Sequence, residues 1–223
     1  MINMPSYAPS VQGDLLSRTN LFRWVREWAR FHQIEDFYYM EFGLLNGESI
    51  IDAVRQLRVG LKYVYGFDSF EGLPAHSQVD LASGHLAPAF QKGSYKGLSE
   101  QEVRNNIVLS SRIPTEDLIL TPGFFDISLP KFDKNQLSNS GFPLLFYLDC
   151  DLYSSTVEVL NFISDLVQDG SWLLVDDYWC YRGSPKYGQR RAINEWIERT
   201  PHLDLSPYSN FRGFGRAFIV NKS

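Results

Sequence analysis

Four short apolar runs in this chain each end in carboxylates: FYYMEF at 37 to 42, LKYVYGFD at 61 to 68, PLLFYLDCD at 143 to 151 and SWLLVDD at 171 to 177. Runs this short, apolar throughout rather than alternating, suit strands covered on both faces, as in a parallel sheet. Helical signals lie between them. Glu48 to Leu57 follows the turn-forming GLLNG, and SEQEVRNNIVLS (99 to 110) carries Ser99 and Glu102 at capping-box spacing. STVEVLNFISDLVQDG reads as an amphipathic helix closed by Gly170, and GQRRAINEWIER as another. DLILTPG (117 to 123) adds a strand, and HLDLSPY with GRAFIVNKS forms an antiparallel pair. Alternation of this kind, with right-handed crossovers, predicts an α/β fold with a mostly parallel sheet and helices on both faces.

A chain of 223 residues fits one domain, 1–223, because halves would each have a marginal core. Residues 1–36 form an N-terminal helical segment in which Asn20 caps a helix with Leu21, Trp24, Val25, Trp28 and Ala29 on one stripe. The stretch 69–98, rich in Gly, Ser, Pro and His, lacks periodicity; a connection that long reads as a lid or substrate loop. The 15% aromatic content serves the core, with some rings available to stack on a planar ligand.

The net charge of −5 comes from 26 acids against 21 bases with no basic run, which argues against a nucleic-acid partner. No apolar stretch approaches the roughly 20 residues that span a bilayer, and MINMPSYAPSVQGD has neither a basic segment nor an apolar signal core. A cytoplasmic protein with no membrane partner is expected, and a homodimer is the default assembly. Cys150 and Cys180 are too few for a disulfide framework and are expected to be reduced.

In open α/β sheets the ligand sits beyond the carboxyl ends of the strands. Glu41, Gly43 and Gly47 there follow E-x-G-x-x-x-G, in which the glycines admit close approach of a ligand and the next helix offers free N–H groups. A plain tight turn is the competing reading. Asp68 stands where an acid accepts bonds from ribose hydroxyls, or else caps a turn. Asp149, Asp176 and Asp177 would repel one another unless a hard cation such as Mg²⁺ lay between them; helix capping is the alternative. Asp151 is the candidate base for a substrate hydroxyl, unless it or Ser154 caps the following helix. His32, His76, His85 and His202 lack metal-ligand spacing and read as ordinary histidines, with His76 and His85, in the long loop, as candidate lid contacts. Gly188 to Arg191 reads as a solvated helix start rather than as charge near a substrate.

Taken together, YMEFGLLNGESI, YGFDSFEGLP, FYLDCDLYSSTVEVL, LLVDDYW and GQRRAINEWI resemble the macrocin O-methyltransferase family over roughly residues 38 to 199. The resemblance implies a Rossmann-like class I methyltransferase fold, seven-stranded with only the last-formed strand antiparallel. It implies S-adenosylmethionine held by Glu41, Gly43 and Gly47, with Asp68 and Ser69 at the ribose and Gly123, Phe124 and Phe125 near adenine. It likewise implies Mg²⁺ or another divalent cation on Asp149, Asp176 and Asp177, with Asp151 as base, and a small-molecule hydroxyl acceptor such as a sugar of a natural product. Cys150, where Gly or Ala is usual, and a shorter N-terminal part depart from the family pattern. Two other readings compete: a metal-dependent glycosyltransferase using Asp149-Cys150-Asp151, and a non-catalytic relative that binds cofactor.

Overall fold

The computed structural model describes residues 16–84 and 89–223. In chain order it contains α1 (Arg18–Phe31), β1 (Phe37–Phe42), α2 (Glu48–Leu57), β2 (Leu61–Asp68), α3 (Gln78–Ala82), α4 (Glu100–Ser111), β3 (Leu118–Pro122) and α5 (Phe125–Ser128). Then follow β4 (Phe142–Leu148), α6 (Tyr153–Ile163), β5 (Trp172–Val175), α7 (Gly188–Arg199), β6 (Leu203–Phe211) and β7 (Gly215–Lys222). The strands form a 7-stranded sheet in the order β3-β2-β1-β4-β5-β7-β6. Only β7 runs antiparallel to its neighbours, β5 and β6. Strand order reverses between β1 and β4, so the crevice where an α/β sheet binds its ligand opens above those two ends.

Every residue of β1 is buried, because successive side chains serve opposite layers. Tyr39 lies in the core layer that holds Phe22, Ile50, Val54 and Ile107 of α1, α2 and α4, whereas its neighbour Met40 lies in the layer that holds Val159, Ile193 and Trp196 of α6 and α7. That two-sided cover explains the uninterrupted apolar runs. Each such side chain contributes about 1.5–3 kcal/mol on leaving water. Much of the aromatic content is in this core: Phe42 stacks on Phe67 at 4.9 Å, and both pack edge-on against Phe162.

Several boundaries differ from the sequence reading. Ser17, not Asn20, caps α1: its side chain accepts from the Asn20 backbone N–H at 3.1 Å, which places Asn20 inside the first turn. Helix α6 begins at Tyr153 and ends at Ile163, well short of Gly170. Gly170 instead turns the chain into β5 with φ +89°, and a Cβ there would meet Trp28 of α1 at 2.7 Å. Strands β4 and β5 stop at Leu148 and Val175, so Asp149, Asp151, Asp176 and Asp177 all lie just beyond them. The 69–98 stretch holds a short helix, α3, with a Ser77/Asp80 capping box, and backbone bonds join Leu73 to Gly93 and Ser94. Among the described residues, no helix is long and apolar enough to cross a membrane.

Candidate active site

The turn after β1 is set by a close approach. Gly43 has φ +93°, and a Cβ on it would lie 1.9 Å from the Asp149 carbonyl oxygen. Only glycine lets the ends of β1 and β4 meet this way. Gly47, at φ +81°, precedes α2 and faces Ile107 and Val103 of α4 rather than open space. Asp68 accepts from the N–H groups of Leu44 at 2.6 Å and Leu45 at 3.2 Å, and from Phe70 N–H at 2.6 Å. It thereby ties the end of β2 to the turn after β1.

A cavity of about 540 Å³ opens over this turn. Gly43, Asp68, Ser69, Phe124, Asp149 and Asp151 are on its walls, with Asp176 and Asp177. Of the residues expected at a cofactor, Glu41, Gly47 and Gly123 are not. Glu41 is fully buried and accepts from the hydroxyls of Tyr39 and Ser49, so it fastens α2 to β1 from beneath. Burial pushes its carboxyl up to about 7. Gly123 links strand ends, its N–H donating to the Asp68 carbonyl at 2.9 Å. Ser69 uses its hydroxyl in a local turn with Gly72.

The acids beyond β4 and β5 divide differently from the sequence expectation. Asp149, Asp151 and Asp177 each offer a carboxylate oxygen, all within 4.8 Å of one another. Asp176 is instead engaged by protein: it accepts from the Tyr147 hydroxyl at 2.5 Å and pairs with Arg212 at 3.1 Å. Burial, then the neighbouring carboxylates, raises the proton affinity of Asp149, Asp151 and Asp177. With the acids ionised, Asp177 Oδ2 is buried without a hydrogen-bond donor among the described residues; a bond between Asp151 and Asp177 forms only when Asp151 keeps its proton. Clustered acids with an orphaned oxygen need a proton or a cation between them, and an all-carboxylate donor set fits a hard divalent ion.

A second cavity of about 520 Å³ adjoins the first, and both share Tyr95, Asp177 and Phe214. Its walls are largely aromatic, including Phe90, Trp179 and Tyr181, with Arg182 also present.

Gln189, missed by sequence reasoning, is fully buried at the start of α7. It accepts from Asp177 N–H at 2.8 Å and donates to the Leu148 carbonyl at 3.3 Å, fixing Asp177 against the end of β4. The GQRR start is therefore not merely solvated, although Arg191 does pair with Glu195 on the helix surface. The signal was a polar residue facing inward at a helix start. Arg212, in the turn between β6 and β7, carried no motif. Of the histidines, His76 bonds the Phe90 carbonyl and His32 lies tilted against Trp28, while His85 lies outside the described residues. Both cysteines are free, and Cys180 Sγ lies 3.3 Å from an Asp177 oxygen.

Known proteins share this fold. The solved O-methyltransferase NovP superposes with a TM-score of 0.70 at 21% identity, over 92% of this chain and 80% of its own. CalS11, the calicheamicin methyltransferase, gives 0.63 at 20% identity, again over 92% and 80%. At those identities the likeness establishes the fold. The demethyldecarbamoylnovobiocin O-methyltransferase of Streptomyces niveus is 30% identical over 115 residues, which is 52% of this chain and 41% of that protein. The chain thus matches about two-fifths of the length of this curated relative. The model of macrocin-O-methyltransferase (TylF) matches residues 17–201, most of the chain and every element from α1 to α7. The chain belongs to the macrocin-O-methyltransferase family.

Proposed function

We propose that this protein is an S-adenosylmethionine-dependent, divalent-cation-dependent O-methyltransferase acting on a hydroxyl of a small molecule, a sugar of a natural product being the favoured class. The observation that carries the reading is the trio Asp149, Asp151 and Asp177, with its unpartnered Asp177 oxygen, where two cavities of comparable size join. The sugar class is supported by CalS11, described as a TDP-rhamnose 3'-O-methyltransferase. TomG of Streptomyces achromogenes, solved with S-adenosylmethionine, shares the fold at a TM-score of 0.55 and 12% identity.

In this reading the first cavity takes the cofactor. Gly43 keeps its floor flat, Asp68 and Ser69 stand at the ribose, and Phe124 offers a ring to the adenine. Glu41 and Gly47 support the turn from behind, and Gly123 the adjoining strand ends. Asp149, Asp151 and Asp177 hold the cation, and the Arg212 pair leaves Asp176 as a brace rather than a ligand. When bound, the cofactor supplies an electrophilic methyl group, and the cation lowers the proton affinity of the acceptor hydroxyl. The aromatic second cavity would position the acceptor, whose proton would pass to the carboxylate oxygen of Asp151 that the cation leaves free. Holding the two reacting groups in line supplies much of the rate.

The deciding measurement is calorimetry of the purified chain with S-adenosylhomocysteine, with and without Mg²⁺, followed by labelled methyl transfer to a panel of glycosides. Binding and metal-dependent transfer are expected. Binding of a nucleotide sugar in place of S-adenosylhomocysteine would overturn the reading.

A further inference from the structure

We propose that Asp80 is a positioning residue for this site: it fastens the 69–98 segment to the first turn of α6 and thereby holds Asp151 in place. The inference rests on the functional reading above. Asp80 is on α3, only 2% exposed, and outside both cavities. Its Oδ1 accepts from the N–H groups of Tyr153 at 2.9 Å and Ser154 at 3.4 Å. Its Oδ2 accepts from Ser77 N–H at 2.9 Å, Ser77 Oγ at 2.6 Å and Ser154 Oγ at 2.7 Å.

Helix α6 obtains no such bond from its own N-cap residue, Leu152. A helix start left open exposes N–H groups that need acceptors, and a carboxylate there also complements the helix dipole. Asp80 supplies that cap from more than 70 residues away in sequence. A capping box serving α3 alone would not require contacts to α6.

What the cap steadies is the residue pair just before it. Asp151 has φ +59°, a left-handed conformation that is less favourable than the right-handed one for any residue with a Cβ, though Asp tolerates it better than most. On its other flank, the Tyr181 hydroxyl donates to the Asp151 carbonyl at 3.3 Å, and Tyr181 packs with Phe90 and Leu152 in one buried cluster. The same segment therefore grips both sides of Asp151, through Asp80 at α6 and through Phe90 against Tyr181.

The test compares the full chain with its Asp80→Ala, Asp80→Asn and Ser154→Ala variants. Three quantities are read: Mn²⁺ affinity by electron paramagnetic resonance, metal-free S-adenosylhomocysteine affinity by calorimetry, and amide exchange of residues 152–156. Asp80→Ala should weaken Mn²⁺ about tenfold, as losses of groups that orient metal ligands do, and change cofactor affinity by less than about twofold. It should also speed exchange at 152–156. Asp80→Asn keeps one oxygen for the α6 N–H groups and should weaken Mn²⁺ by only about threefold. If Asp80→Ala does not fold, Asp80→Asn and Ser154→Ala carry the same comparison.

Folded variants with unchanged Mn²⁺ affinity, and faster exchange confined to 77–82, would overturn the proposal. If the unsubstituted protein binds neither Mn²⁺ nor cofactor, the functional reading fails, and exchange at 152–156 alone decides the role of Asp80.

Discussion

The turn after β1 and the acids after β4 and β5 lie side by side, yet they satisfy their polar groups in opposite ways. In the turn, Asp68 accepts from three backbone N–H groups and Glu41 from two hydroxyls, so the protein holds both acids, Glu41 fully buried and Asp68 still on the wall of the first cavity. Beyond β4 and β5, Asp149, Asp151 and Asp177 face one another, and an Asp177 oxygen has no partner among the described residues. Asp176, adjacent in sequence, belongs with the first kind, because Tyr147 and Arg212 occupy it. Sequence proximity does not decide how an acid is satisfied; the groups that folding brings beside it do.

The severest way to break the contrast is to disturb the meeting of its halves at Gly43. Gly43→Ala places a methyl where the Asp149 carbonyl runs, at positive φ. It should cost roughly 2–5 kcal/mol and lower both cofactor and metal binding, as thermal unfolding and calorimetry would show. Unchanged stability would mean that the two strand ends do not approach as described.

Next in size, Asp177→Asn should leave the fold intact while reducing Mn²⁺ affinity on the order of a hundredfold, because it replaces the orphaned oxygen's charge. The apo variant should be at least as stable as the parent at pH 8, since a buried charge has gone. A large loss of stability would show that the trio holds the fold together rather than a ligand.

The two regions also differ in pH response. Metal affinity should climb from pH 6 to pH 8, because a cation must displace protons that the trio binds tightly. Glu41 acts on the fold itself. Its carboxyl is raised by burial from 4.5 to about 7, so the native state binds the proton more tightly than the unfolded chain. Stability from this group is complete below the unfolded value and declines as pH rises through about 7. Glu41→Gln should flatten that part of the pH–stability curve, a difference on the order of 3 kcal/mol at full ionisation. Denaturant titrations of the apo protein between pH 5 and 9 would measure it.

The smallest effect is expected at the brace. Arg212→Ala removes a pair whose arginine is 46% exposed, so stability should fall by only about 0.5–1 kcal/mol. With Asp176 released, metal-free protein should bind Mn²⁺ no more weakly than before. A marked gain in Mn²⁺ affinity would instead place the released Asp176 among the ligands.

Much of the fold was legible because local chemistry and burial agree. The apolar runs of β1, β2 and β4 are covered on both faces, and α2 and α7 have the expected bounds. The capping box at Ser99 and Glu102 is present as its spacing implied. Helix α6 was harder, since its cap comes from Asp80 on a distant segment and Gly170 serves a turn rather than the helix. Gln189 and Arg212 escaped notice for the same reason: each acts on an acid that only the folded chain brings near.

The sequence by itself determined the alternation of strands and helices, the acids at the strand ends and the glycine at position 43, because burial on both faces and local turn chemistry leave marks within a few residues. The tertiary structure alone decided how those acids divide, which are saturated by Tyr147, Arg212, Ser49 or backbone N–H groups and which face each other beside two cavities. Hydrogen-bond saturation and like-charge repulsion depend on distances between groups far apart in the chain, and those distances exist only after folding.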